Sequence, residues 1–245
     1  MGLTNKVVII TGAASGIGLA TAKECAEREA KLVVADLPSA NLNDLASLGT
    51  PDRRALPVPV DVTKLADCLA LVKTAEEHWG RVDALINCAG ILQGAYVPVE
   101  ELDDETFERV INVNLVGSFR MTKAVVPALR RTGRGVIVLI ASGAGVRGGS
   151  SSVAYGSSKG GVHGLAMVLE QKLGSEGIRV NDVCPGSLDT PLKRQNVIDL
   201  AQSLGQSSEE ALKHANLADP RGVGRILAFL ASDDADFVRG SIFTR

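Results

Sequence analysis

Short apolar runs rich in β-branched residues alternate along the chain with longer helical patterns. The short runs are Val7–Ile10, Leu32–Ala35, Ala55–Val60, Ala84–Asn87, Val136–Ile140 and Val180–Cys184. Their nearly continuous apolar character predicts strands buried on both faces of a parallel sheet. The stretches Gly16–Arg28, Lys64–His78, Thr106–Arg130 and Ala154–Leu173 predict helices. Repeated β-α-β alternation predicts an α/β fold, a doubly wound, mainly parallel sheet with helices on both faces. One stretch breaks the rhythm. From Pro191 to Ala218 the chain is polar and helical in pattern, with no strand of its own, and is a candidate for a mobile substrate lid.

With 245 residues and 45% hydrophobic content, the chain can bury a large core without disulfide or metal staples. One domain over residues 1–245 accounts for that length. Lys and Arg total 26 against 28 Asp and Glu, a formal charge of −2. That balance offers no polybasic field to nucleic acid or to an anionic membrane. Cys25, Cys68, Cys88 and Cys184 form no CxxC pair and have no histidine at zinc-ligand spacing, so no metal is implied. They read as small buried hydrophobes and fit a reducing, cytoplasmic setting. Strand-like residues begin at Lys6, which argues against a secretory leader. No apolar run approaches the ~20 residues that span a bilayer.

The first strand runs directly into Thr11-Gly12-Ala13-Ala14-Ser15-Gly16-Ile17-Gly18 and then into a helix. Glycines at such a turn permit the tight bend, let backbone approach a pyrophosphate, and let helix pack close to strand. The helix N-terminus adds unpaired N–H groups and a positive dipole end. The next strand ends at Asp36, roughly 20 residues on, where a carboxylate accepts from adenosine ribose hydroxyls. A 2′-phosphate there would meet like charge, and no Arg or Lys stands at 13–15 or 37–40. The pattern therefore favours NAD(H), with NADP(H) the lesser alternative. A capping role for Asp36 near Pro38 is the competing reading.

Tyr155 and Lys159 stand four residues apart in a helical pattern and so share one face. A phenol has an ordinary pKa near ~10, and a neighbouring ammonium is expected to lower it. A tyrosine so tuned can act as acid or base at a carbinol oxygen. Ser142 follows the strand Val136–Ile140, at the sheet end where ligands bind in doubly wound folds. Its hydroxyl can bond a substrate oxygen, or it can cap the turn after the strand.

The chain resembles the short-chain dehydrogenase/reductase family, from Val7 to Thr244. The likeness rests on Thr11–Gly18, Asp61-Val62, Asn87-Cys88-Ala89-Gly90, Asn112-Val113-Asn114, Ser142, Tyr155 with Lys159, and Pro185-Gly186 with Thr190, in that order. The resemblance implies a Rossmann fold and an alcohol–carbonyl oxidoreductase. It assigns Tyr155 as acid/base, with Lys159 lowering its pKa and holding the nicotinamide ribose. Ser142 would orient the reacting oxygen, and Asn114 would position a water linking Lys159 to solvent. Gly12, Ser15, Gly16, Ile17 and Gly18 would hold the pyrophosphate, and Asp61 and Val62 would meet the adenine. Asn87, Ala89 and Gly90 would line the cofactor channel. Pro185, Gly186, Leu188 and Thr190 would contact the nicotinamide end. Taken singly, Asp61 also suits a helix cap, Asn114 a helix kink, and Pro185-Gly186 a turn.

Two departures stand out. Cys88 occupies a place where relatives commonly have a second asparagine. The chain also stops at Gly240–Arg245, where relatives run on, which implies an incomplete last sheet edge and puts the expected homo-oligomer, tetramer or dimer, in question. The resemblance leaves a 3-oxoacyl-carrier-protein reductase as an alternative, with Arg147, Lys193 and Arg194 as a candidate docking patch. A non-catalytic NAD(H)-binding scaffold is the alternative of another class. The substrate, a small carbonyl or alcohol, is expected among Tyr96, Val146, Val153, Leu192, Val197 and Leu200. His78 reads as a helix-end cation and His163 as a packing residue, while His214 lies in the lid-like stretch.

Overall fold

The computed structural model describes residues 2–50 and 55–244. Met1 and Arg245, the ends of the expected domain, lie outside the described residues. The elements run β1 Val7–Thr11, α1 Gly16–Glu27, β2 Lys31–Asp36, β3 Leu56–Pro59, α2 Leu65–Trp79, β4 Ala84–Asn87, α3 Asp104–Ile111 and α4 Gly117–Thr132. They continue with β5 Gly135–Ile140, α5 Gly143–Val146, α6 Val153–Leu173, β6 Ile178–Cys184, α7 Pro191–Ser203, α8 Ser208–His214, α9 Arg221–Ala231 and β7 Gly240–Phe243. The strands form one sheet in the order β3-β2-β1-β4-β5-β6-β7, and every pair is parallel. The order reverses at β1, so a crevice opens beyond the carboxyl ends of β1 and β4, where such sheets bind ligands.

The continuous apolar runs become strands covered on both sides. Val7, Ile9, Val33, Leu85, Ile137 and Leu139 face one layer, packed with Leu71 of α2, Val125 of α4 and Val162 of α6. Val8, Ile10, Val34, Ile86 and Val138 face the other, packed with Cys25 of α1 and Leu227 of α9. Alternate residues point to opposite layers, as the pleat requires. The prolines Pro57 and Pro59 sit in β3, an edge strand, where a missing N–H costs least.

Two expectations are corrected. The single helix expected over Thr106–Arg130 is interrupted by a π-helical segment, Asn112–Val116, between α3 and α4. The lid-like stretch is helical as its pattern implies, in two helices, α7 and α8, and its end is joined to Leu188 by an isolated bridge at Ala218. The last sheet edge is not left incomplete. β7 pairs Gly240–Phe243 against Asn181–Cys184. Ser241 Oγ donates to Asp182 Oδ1 at 2.6 Å, and His163 Nδ1 lies 3.1 Å from both Ser241 Oγ and Asp182 Oδ2. His163 thus joins helix to sheet. Among the described residues no helix is long and apolar enough to cross a membrane, and no cluster of metal-binding side chains is present.

Candidate active site

The turn after β1 is shaped by backbone proximity. Gly12 adopts φ +64°, and a Cβ there would lie 2.8 Å from the Ala89 nitrogen. A Cβ on Gly18 would lie 2.1 Å from the Gly12 carbonyl oxygen. Only glycine fits either place. Ser15 precedes α1 without capping it through its side chain, and no acid occupies the first turn, so these N–H groups face the crevice uncapped by any side chain. Asp36 closes the turn against β2. Its Oδ2 accepts from the Ala14 N–H at 2.9 Å and its Oδ1 from the Leu37 N–H at 2.8 Å. Asp61 accepts from the Thr63 hydroxyl at 2.7 Å and the Thr63 N–H at 3.0 Å. Those bonds, the hydroxyl first, hold its carboxyl below the usual range.

A cleft of about 260 Å³ follows this turn. Gly12, Ser15, Gly16, Ile17, Gly18, Asp36, Asp61, Val62, Ala89, Gly90, Tyr155, Lys159 and Thr190 line it, all of them expected there. Asn87 does not. It is 2% exposed and lies behind the wall, accepting from Thr11 Oγ1 at 2.7 Å and donating to Ser118 Oγ at 3.0 Å. Thr11 Oγ1 in turn accepts from the Ala89 N–H at 3.2 Å, so Asn87 braces the channel indirectly. Cys88 and Ile91 line the cleft without having been foreseen. Cys88 was visible only as a departure from the usual asparagine.

Ser142 sits just beyond β5 and Tyr155 in the first turn of α6, so both reach the same end of the sheet. Ser142 Oγ accepts from the Ala144 N–H at 3.2 Å, which is the capping reading, and the residue lies with Tyr155 on the wall of one cavity. α5 holds Ser142 close to α6: a Cβ on Gly145 would lie 2.3 Å from the Gly160 nitrogen. The electrostatics differ from the expectation. Burial pushes the Tyr155 phenol up, with the Ser142 hydroxyl pulling the other way. Lys159 is itself 4% exposed, and burial brings its ammonium down to about 8. Its Nζ donates to the Ile140 carbonyl at 2.6 Å and lies 5.7 Å from the Tyr155 ring centroid. Asn114, in the π segment, is fully buried and fully bonded. Its Oδ1 accepts from the Ile91 N–H at 2.8 Å; its Nδ2 donates to the Ile91 carbonyl and to Ser158 Oγ, both at 2.9 Å.

A second cavity, of about 400 Å³, opens on the other side of Tyr155. Both cavities share Ile17, Ile140, Tyr155, Thr190 and Leu192. Ser142, Pro185, Gly186 and Leu188 line this second space and not the first. Of the expected substrate side chains, Tyr96 and Leu192 are on its wall. Val146, Val153, Val197, Leu200 and His214 are not. Val146 packs against the core instead. Leu92, Ser150, Ser151, Lys193 and Asn196 are also on this wall.

A family model described as short chain dehydrogenase matches residues 6–200. The chain belongs to the short-chain dehydrogenase family. It is 33% identical to a 3-oxoacyl-[acyl-carrier-protein] reductase of Thermotoga maritima, across 99% of this chain and 96% of that one. It is 37% identical to the cis-4-hydroxycyclohexanecarboxylate dehydrogenase of Sinomonas cyclohexanicum, across 97% and 93%. The crystal structure of an actinorhodin polyketide ketoreductase variant with NADPH superposes with a TM-score of 0.91 at 32% identity, covering 100% of this chain and 97% of that one. The short-chain dehydrogenase fold binds a nicotinamide cofactor, and the glycine turn, the uncapped start of α1 and the two carboxylates fit such a dinucleotide.

Proposed function

We propose that one domain interconverts a secondary alcohol and a ketone with NAD(H), using Tyr155 as proton donor and acceptor. The observation that carries this reading is that the glycine-lined cleft and the second cavity meet at Tyr155. When bound, the nicotinamide supplies or takes up the hydride. The chain's own groups handle the proton and the placement. Burial keeps the phenol protonated near neutral pH, which sets Tyr155 to donate to a carbonyl oxygen in the reducing direction. Ser142 shares that oxygen and holds it in line. The positive charge of Lys159, on the same helix as Tyr155, would stabilise the phenolate left behind, and Lys159 would hold the nicotinamide ribose. Asn114 fixes the Ile91 loop at the cleft wall through the Ile91 N–H and carbonyl. Asp61 and Val62 would hold the adenine, and Pro185, Gly186, Leu188 and Thr190 would contact the nicotinamide end.

Asp36 supports NAD(H) over NADP(H), because a 2′-phosphate would face its carboxylate. A carrier-protein substrate has less support. Of the three basic residues suited to such a patch, Arg147 lies over the Phe243 ring at 3.8 Å and Arg194 pairs with Asp189. The exposed apolar residues Phe119, Met167 and Val168 support assembly with further copies. Free cysteines, three of them buried, support a cytoplasmic setting.

The test is a fluorescence titration with NADH and NADPH, followed by Tyr155→Phe. The variant should lose at least ~100-fold in turnover while its cofactor titration stays unchanged. Full activity in Tyr155→Phe would overturn the acid/base assignment.

A further inference from the structure

The second cavity is lined by glycines, serines and apolar side chains, with one charged exception, Lys193. The neighbouring cations are engaged elsewhere, Arg147 on the Phe243 ring and Arg194 on Asp189. Lys193 is not. Its Nζ donates to a neutral partner, Asn196 Oδ1, at 3.2 Å. Among the described residues no carboxylate lines the cavity or lies within ion-pair distance of Lys193.

The ammonium is also placed. Lys193 lies in the first turn of α7, where its N–H is capped by Thr190 Oγ1 at 3.2 Å. Asn196, one turn on, is 4% exposed and is held by Ser151, whose Oγ accepts from Nδ2 at 2.8 Å. The chain Ser151–Asn196–Lys193 thus fixes a half-buried cation on the wall that also carries Tyr155 and Ser142. A cation taken partly out of water calls for a counter-charge, and here the protein supplies none. The ligand can supply it. A single ammonium is a point charge suited to a monoanion, whereas a phosphate or an acidic protein surface calls for several donors. The volume of about 400 Å³ suits a small molecule.

We propose that Lys193 reads a carboxylate on the substrate, so that the enzyme acts on small oxo acids or hydroxy acids whose reacting oxygen and carboxylate span the distance from Tyr155 to Lys193. This rests on the oxidoreductase reading of Tyr155. It makes Lys193 a specificity-determining residue and Asn196 its positioning residue.

The probes are 4-oxopentanoate, 5-oxohexanoate and 6-oxoheptanoate, each against its methyl ester, with NADH and NADPH both offered. At the chain length that fits, the acid should exceed its ester roughly 10- to 100-fold in kcat/KM, mainly through KM. Lys193→Met should erase that preference, and Lys193→Arg should keep part of it. A second readout needs no turnover: calorimetry should detect pentanoate binding to wild type and not to Lys193→Met. Ester turnover with no preference for acids at any length would overturn the carboxylate reading alone. Pentanoate binding that depends on Lys193, without cofactor oxidation by any probe, would uphold the anion site and overturn the reductase reading. Failure of both binding and turnover would sink both.

Discussion

The ammonium of Lys159 donates to the carbonyl oxygen of Ile140 at 2.6 Å, which ties α6 to the end of β5 from inside the protein. That bond satisfies one donor of a cation that is only 4% exposed. Burial lowers its pKa from 10.5 to about 8.

The lowered pKa has a signature in stability. As pH rises, folded Lys159 releases its proton near 8, while the unfolded chain holds its own until about 10.5. Between those values the unfolded state binds more protons, so this group's contribution to stability rises with pH. Below about 8 its cost is constant. Urea unfolding of wild type and Lys159→Met at several pH values isolates the effect, since other titrating groups cancel in the difference. Wild type should gain on the variant from pH 8 to 10. A flat difference would mean that the Lys159 pKa is not lowered.

Asp36 carries both a structural and a selective duty. Its two oxygens hold the Ala14 and Leu37 N–H groups, so Asp36→Ala should weaken NADH and NADPH alike by loosening the turn. The informative quantity is the ratio of the two affinities. Removing the carboxylate removes the repulsion of a 2′-phosphate, and the preference for NADH should narrow at least ~10-fold. Parallel losses with an unchanged ratio would leave Asp36 with the turn only.

The strands and the glycine turn were legible because burial on both faces leaves unbroken runs such as Val7–Ile10, and because Gly12, Gly16 and Gly18 follow β1 directly, although the backbone that crowds Gly12 is that of Ala89, far along the chain. β7 escaped for the opposite reason. It is a short edge strand, and part of what docks it is polar, the Ser241–Asp182 bond across 59 positions. The π segment escaped because a shift in backbone bonding at Asn112–Val116 leaves the apolar period unchanged. The spacing of Tyr155 and Lys159 put them on one helix, but the Ile140 carbonyl that holds the ammonium comes from another element. Likewise, Arg147, Lys193 and Arg194 look alike in sequence. Only the Phe243 ring, brought near Arg147 by folding, and Asp189, which the turn before α7 presents to Arg194, set Lys193 apart.

Gly18→Ala tests the packing of the turn directly. The added methyl would meet the Gly12 carbonyl oxygen at 2.1 Å, and that atom belongs to backbone that cannot swing aside. Forcing α1 away from β1 should cost about 1–3 kcal/mol of stability by urea unfolding. Cofactor affinity should fall with it, because the same carbonyl belongs to the turn that borders the cleft. A variant with wild-type stability and NADH titration would show that the turn tolerates a side chain at this position.

Ser241 ties the last strand to a buried charge. Asp182 is 1% exposed and takes the Ser241 hydroxyl at 2.6 Å, so Ser241→Ala leaves a desolvated carboxylate with one donor fewer. The expected loss is about 1–3 kcal/mol, and Ser241→Thr should restore most of it by keeping a hydroxyl. The contact itself can be separated from general loosening of β7 by a double-mutant cycle with Asp182→Ala. If the bond holds the strand, Ser241→Ala should cost much less once the carboxylate is gone. Equal costs in both backgrounds would mean that β7 is held by its backbone ladder and by Phe243 against Arg147, with the buried Asp182 answered by His163 and the Cys184 thiol.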